Sequence, residues 1–310
     1  MGGGIGRIEM LKTTNILCLV GGGKKPKYPL NKIIVWDDSK CKIIGELRFN
    51  SPVLNTKIKM DRIIGITERK IYVFNINTLD LIDMYDTFEN TNGVHALSTG
   101  DLVSILAFPF QAKGKVKLVN FLSSLQPPAI SAHDTKIGCL SINEEGSLLA
   151  TTSDKGTLIK IFLIQNGNLI SELRRGAKNA EINCISFDDN NKYVGCTSVM
   201  GTVHIFNIEE QAKNINESAL IENEEEQKNQ KGFFHKLGGI LKSNSINSFA
   251  KFRIPERKSI ICFVSDLQFI CLTCEGRYYL ASFDPKINGE CVKLKEYNII
   301  SKTNMNTAKK

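Results

Sequence analysis

The residues best equipped for chemistry in this chain are two adjacent arginines, in the run Leu173-Arg174-Arg175-Gly176. A guanidinium is a planar fork of N–H donors that matches phosphate oxygens two at a time, which a lysine ammonium cannot copy. Successive side chains of a β-strand point to opposite sides, so neighbouring arginines suit two anion sites better than one. Hydroxyl donors stand close by in sequence. Ser153, Lys155 and Thr157 share a Ser-Asp-Lys-Gly-Thr turn, Ser198, Thr202 and His204 share a related region downstream, and His133 lies upstream. Together these residues suggest paired phosphate sites. A plainer reading stands beside that one: a charged strand edge that stays solvated and deters sheet-to-sheet association, with Ser, Thr and Gly serving only as hairpin chemistry.

Other chemistries find less support. Gly2-Gly3-Gly4-Ile5-Gly6 has no preceding strand and no Gly-Lys-Ser/Thr ending, so it is not a phosphate loop. It also lacks the Ser or Thr at position 6 of a myristoylation start. Gly21-Gly22-Gly23 runs into Lys24-Lys25-Pro26-Lys27 rather than a helix. The four histidines, His95, His133, His204 and His235, are dispersed, and no Ser or Cys motif marks a nucleophile, which argues against an enzyme. Cys271 and Cys274 form one Cys-x-x-Cys without a second pair at zinc spacing, so no metal and no cofactor is expected. The nine cysteines sit mostly in apolar runs, such as those around Cys139, Cys184, Cys196 and Cys262, as suits buried reduced thiols. A net charge of +8 favours an anionic partner. Nucleic acid is disfavoured, because the arginines lack interleaved aromatics and no basic stripe is present. No apolar run is long enough to span a bilayer and no signal peptide is evident, which reads as a cytosolic protein.

The elements that must hold the arginines are short and β-rich. Runs such as Asn15 to Val20, Lys32 to Trp36, Ile63 to Thr67 and Arg277 to Phe283 alternate with turn residues, and helical periodicity is nearly absent. An internal repeat chooses among all-β folds. Ile137 to Ile161 overlays Ile182 to Phe206 at an offset of 45 residues, matching Cys139 with Cys184, Thr152-Ser153 with Thr197-Ser198 and Gly156-Thr157 with Gly201-Thr202. That period is the length of a WD40-type propeller blade. The template marks units near 5 to 49, 53 to 88, 93 to 122, 137 to 175, 182 to 254 and 258 to 299. The expected fold is therefore a single all-β propeller domain over 1 to 310, seven-bladed in type. Six blades are visible and the first is missing or truncated, with truncation favoured. Residues 300 to 310 read as a flexible tail.

Leu173-Arg174-Arg175-Gly176 resembles the Phe/Leu-Arg-Arg-Gly motif of the PROPPINs, the WIPI and Atg18-like propellers of autophagy. The resemblance extends through Gly3 to Gly6, Leu19 to Gly23, Lys27 to Pro29, Ile34 to Asp38, Ala132-His133, Thr152 to Thr157, Gly201 to His204 and Phe249 to Arg253, nearly the whole chain. It implies a peripheral membrane protein that binds PI3P and PI(3,5)P2 through two rim pockets and acts as an effector or scaffold in autophagy and organelle membrane dynamics. The alternative is a WD40 protein-interaction scaffold without lipid binding. One implied pocket holds His133, Ser153, Lys155, Thr157 and Arg174. The other holds Arg175, Ser198, Thr202 and His204, with Ser248 and Lys251 or Arg253 from the neighbouring outer strand. Implied partners include Atg2-like lipid-transfer proteins, and the implied location is cytoplasmic, with recruitment to pre-autophagosomal, endosomal, vacuolar or other phosphoinositide-bearing membranes. The chain departs from the family at Val199-Met200, where an Asp-Lys pair is usual, and in lacking a segment before its first glycines.

One stretch interrupts the repeat. Residues 209 to 247 are long and polar, and the resemblance implies that they form a membrane-facing loop inserted in the sixth blade. Within it Phe233, Phe234, Leu237, Ile240 and Leu241 recur at helical spacing beside Lys231, Lys236 and Lys242, as a membrane-inserting turn would. A short helix packed on the propeller would show the same spacing, and Gly238-Gly239 would weaken either helix by roughly 1 kcal/mol per glycine.

Overall fold

A computed structural model describes residues 3–210 and 245–300. The five apolar residues from Phe233 to Leu241, their neighbouring lysines and the tail beyond residue 300 lie outside the described residues.

Among the described residues six mainly antiparallel sheets follow one another along the chain, each starting with its innermost strand. The first joins β1 (Ile5–Met10), β2 (Ile16–Gly21), β3 (Lys32–Asp37) and β4 (Lys42–Arg48). The second joins β5 (Asn55–Lys59), β6 (Arg62–Ile66), β7 (Lys70–Asn75) and β8 (Leu81–Asp86). The third joins β9 (Ala96–Leu97), β10 (Ile105–Pro109), β11 (Lys115–Asn120) and β12 (Ile130–Ser131). Its outer strand lies beyond residue 122, where the repeat template ended, because Pro127-Pro128 delays the chain's return and leaves only two residues to pair.

The fourth sheet joins β13 (Ile137–Ile142), β14 (Leu148–Ser153), β15 (Leu158–Leu163) and β16 (Leu169–Arg174). The fifth joins β17 (Ile182–Phe187), β18 (Tyr193–Ser198) and β19 (Thr202–Asn207). Its outer strand β21 (Ala250–Arg253) is preceded by the short β20 (Ile246–Asn247), which pairs in parallel on the fourth sheet. The sixth joins β22 (Ser259–Ser265), β23 (Gln268–Thr273), β24 (Arg277–Ser282) and β26 (Val292–Asn298), while β25 (Gly289–Glu290) pairs in parallel with β21.

Register reproduces the 45-residue repeat. Ile137 pairs with Ser153 and Ile182 with Ser198, and both hairpins shift register at the next step, between Ile137 and Cys139 and between Ile182 and Cys184. Apolar side chains on both faces of a strand require cover on both, and stacked blades provide it. Ile159, Ile161 and Leu173 of the fourth sheet meet Ile185, Cys196 and Phe206 of the fifth. Val203, Ile205 and Phe252 of the fifth meet Phe263, Phe269 and Tyr279 of the sixth. Each such burial contributes roughly 1.5–3 kcal/mol. The innermost strands line an axial cavity of about 730 Å³ that includes Arg7, Lys57, Cys139, Cys184 and Ile260.

All nine cysteines are free thiols. Cys196 and Cys271 are buried, but Cys262 is exposed, contrary to the expectation for an apolar run. Strand alternation explains this: Ile261 and Phe263 pack on the fifth sheet, so Cys262 points away from it.

Candidate functional site

Arg174 is the last residue of β16 and Arg175 follows it directly, and the sheet registers decide what surrounds each. Arg174 pairs with Leu158 and Glu172 with Lys160, while Lys160 also pairs with Thr151. Alternation then puts Arg174, Lys160, Thr151 and Ser153 on one face of the fourth sheet. Across the seam with the third sheet, His133 lies two residues after β12 and its Nε2 is 2.9 Å from the Thr151 hydroxyl. Arg174 is exposed, and its Nε donates to the Ser245 hydroxyl at 3.1 Å. This first cleft thus gathers His133, Ser153 and Arg174 around Thr151 and Lys160, two residues the motif reading passed over. Counting back from Arg174 by strand alternation and hairpin register was the signal that could have found them. Lys160 is partly neutralised, with Glu172 at 3.4 Å.

Arg175 takes the other direction. It is 8% exposed, its Nε donates to the Gly156 carbonyl at 2.9 Å, and its Nη2 donates to the Lys178 carbonyl. Its backbone N–H donates to the Thr157 carbonyl at 2.9 Å, so the Ser153–Thr157 turn and the loop after β16 are stitched together. Within that turn the Gly156 N–H donates to the Ser153 carbonyl, and Lys155 is exposed. Lys155 and Thr157 therefore belong to the lip between the two clefts.

On the fifth sheet, Cys196 pairs with His204 and Ser198 stands opposite Thr202, while His204 pairs with Lys251 and Thr202 with Arg253. One face therefore carries Ser198, Thr202, His204, Lys251 and Arg253. Arg175 from the fourth sheet lies close enough to act electrostatically on both His204 and Cys196. Ser198 is fully buried, and its hydroxyl has no hydrogen-bond partner among the described residues. The His204 Nδ1 lies 3.0 Å from the Ser248 hydroxyl. Lys251 is exposed and has no salt bridge among the described residues, whereas Arg253 lies 3.5 Å from the Glu290 carboxylate. Of the two outer-strand cations, Lys251 is thus the freer. Where the first turn has Asp154 accepting a hydrogen bond from Thr135, the second has Val199 and a 55% exposed Met200.

Electrostatics separates this arrangement from an ordinary strand edge. Burial pushes His204 down to about 4, and the positive charges of Lys251 and Arg175 push the same way. Burial also brings His133 to about 4, helped by Lys160. Both imidazoles are neutral near pH 7; the charges acting on His204 are positive, whereas at His133 Asp134 and Asp154 oppose Lys160. No carboxylate among the described residues pairs with Arg174 or Arg175. Hydroxyl-lined clefts whose arginines are free of carboxylate partners, although Glu172 and Glu290 engage the neighbouring Lys160 and Arg253, can take anions with several oxygens.

The chain resembles known proteins over most of its length. A family model described as PROPPIN matches residues 8–300. Autophagy-related protein 18e of Arabidopsis thaliana is 31% identical over 288 residues, covering 92% of this chain and 74% of that protein. SVP1-like protein 2 of Pichia angusta is 35% identical over 211 residues, covering 66% of this chain and 59% of that protein. Among solved structures, KlAtg21 in complex with the coiled coil of AgAtg16 superposes with a TM-score of 0.73 at 22% identity, covering 95% of this chain and 85% of that one. At that identity the likeness concerns the fold.

Proposed function

This chain belongs to the PROPPIN family, whose members are non-enzymatic β-propellers, and we propose that it docks on membranes by holding phosphoinositide headgroups in the two clefts. The observation that supports this reading is that the Arg174 side chain reaches the Ser245 hydroxyl while the Arg175 side chain turns to the Gly156 carbonyl, neither paired with a carboxylate among the described residues. PI3P and PI(3,5)P2 fit this chemistry, since each offers at least one phosphomonoester whose oxygens match a guanidinium fork.

In the first cleft Arg174 takes the phosphate, with His133, Ser153, Lys155 and Thr157 as surrounding donors. In the second, Arg175 and Lys251 supply charge, and Thr202, Ser198 and His204 supply donors. With the Ser248 hydroxyl donating to Nδ1, the neutral His204 ring carries its proton on Nε2 and offers an N–H to the ligand. Arg253 is secondary, because Glu290 already engages it. Charge-assisted hydrogen bonds contribute about 1.5–3 kcal/mol each, and two clefts meeting one lipid surface multiply affinity through effective concentration.

The protein acts in autophagy-type membrane traffic, recruited from the cytoplasm to phosphoinositide-bearing membranes; of the loop expected over 209 to 247, Ile246 and Asn247 instead pair with the fourth sheet as β20. Its remaining blades receive protein partners, as the complex of KlAtg21 with a coiled coil illustrates for a related fold. Atg2-like lipid-transfer proteins are candidates. Liposome flotation tests the reading. Vesicles with a few per cent PI3P should float the native chain, and the variant carrying Arg174→Ala and Arg175→Ala should stay in solution. Equal flotation of native and double variant would leave the scaffold reading, in which the rim is merely solvated.

A further inference from the structure

The short β20 occupies an unusual position. It adds in parallel to the edge of the fourth sheet, pairing Ile246 with Leu173 and Asn247 with Arg174. Two residues later the chain has crossed to the fifth sheet, where the Phe249 N–H donates to the Ile205 carbonyl and Ala250 pairs with Ile205. One short segment therefore bridges the two sheets whose residues line the clefts. Ile246 packs beside the apolar cluster between those sheets, which anchors the crossing.

Both ends of the crossing touch the candidate ligands. At its start the Ser245 hydroxyl accepts from Arg174 Nε at 3.1 Å, and at its end the Ser248 hydroxyl meets His204 Nδ1 at 3.0 Å. An exposed arginine samples many rotamers, and fixing it before the ligand arrives removes an ordering cost from binding. We propose that Ser245–Ser248 is a positioning strap: Ser245 orients Arg174, Ser248 orients His204, and the parallel pairing between them sets both at once. The proposal rests on the reading of the clefts as phosphate sites. It adds Ser245 and Asn247, which neither touch a core nor carry charge, to the residues on which affinity depends.

The test uses inositol 1,3-bisphosphate, the soluble headgroup of PI3P, titrated into the whole chain. NMR follows the amide of Thr157 for the first cleft and that of Thr202 for the second. Ser245→Ala should weaken binding at Thr157 by about 3–10-fold, the loss of one hydrogen bond, and leave Thr202 within about twofold. Ser245→Thr should restore it. Asn247→Pro removes one of the two backbone N–H groups of β20 and fixes its φ, and should weaken both clefts. A binding curve for Ser245→Ala that matches the native one, while Arg174→Ala abolishes the response at Thr157, would overturn the strap and leave the phosphate sites standing. A response unaffected by Arg174→Ala would overturn the phosphate reading itself, and the strap with it.

Discussion

Arg175 donates from Nε to the carbonyl oxygen of Gly156 at 2.9 Å, so the second arginine of the pair is part of the turn's architecture before any ligand arrives. Arg174, one residue earlier, is exposed, and among the described residues its side chain is held through the Ser245 hydroxyl. The two guanidinium groups therefore differ in structural cost as well as in direction.

Separating the double substitution makes that difference measurable. Arg174→Ala removes an exposed group and should leave stability within about 0.5 kcal/mol of native. Arg175→Ala strips a buried donor from the Gly156 and Lys178 carbonyls and should cost on the order of 1–3 kcal/mol. Denaturant unfolding of the two single variants checks the order. Equal stabilities would mean that Arg175 is not engaged as described.

Gly156 and Gly176 make a second contrast. Gly156 has φ +58°, and a Cβ there would lie 2.0 Å from the Ala180 carbonyl oxygen. Gly176, the glycine of the Arg-Arg-Gly run, would place its Cβ with nothing within 4 Å and has no positive φ. Gly156→Ala should therefore cost about 1–3 kcal/mol through backbone strain and shift the carbonyl that holds Arg175. Gly176→Ala should unfold and float like the native protein. A large loss from Gly176→Ala would show that the motif's glycine acts through something other than local sterics.

Acid should weaken the fold before the carboxylates titrate. Burial brings His95, His133 and His204 to about 4, below the 6.5 expected when unfolded. The unfolded chain then binds protons that the folded one excludes, so stability is fully present above pH 6.5 and falls as pH drops toward 4. The loss is at most on the order of 3 kcal/mol per histidine across that window. Melting temperature measured from pH 7.5 to 4.5 should decline. His204→Gln, which keeps an amide near Ser248 and cannot charge, should flatten part of the slope.

Much of this organisation was legible in the chain. The 45-residue offset located the two hairpins whose registers and bulges coincide, because blade stacking imposes the same apolar pattern on both faces of each strand. Side-chain alternation assigned the arginines to opposite faces. The residues that escaped notice are those joined to the clefts through pairing between segments distant in sequence. Lys160 and Thr151 share a face with Arg174 only through hairpin register, and Ser245 arrives from the far side of residues 211–244 to meet it. No local pattern encodes a parallel bridge between β16 and β20. The outer-strand choice between Lys251 and Arg253 likewise depended on Glu290, which β25 brings alongside β21.

The departure at Val199-Met200 yields a gain-of-function prediction. The two hairpins are superimposable in register, so Met200 occupies the place that Lys155 holds beside the first cleft. Its side chain is 55% exposed, which means that a charge there would be solvated rather than buried. Met200→Lys should therefore leave unfolding unaltered while adding a cation at the lip of the second cleft. One lysine close to an anionic bilayer contributes about 1 kcal/mol, or about fivefold in affinity. Flotation at limiting PI3P should rise accordingly, and the gain should shrink with salt, because an exposed charge is screened within about 10 Å at 0.1 M ionic strength. The same substitution placed on Arg175→Ala should recover little, since an ammonium offers a single point of charge where the guanidinium fork was lost. A fivefold gain that persisted without Arg175 would mean that the cation acts on the membrane as a whole and not through the second cleft.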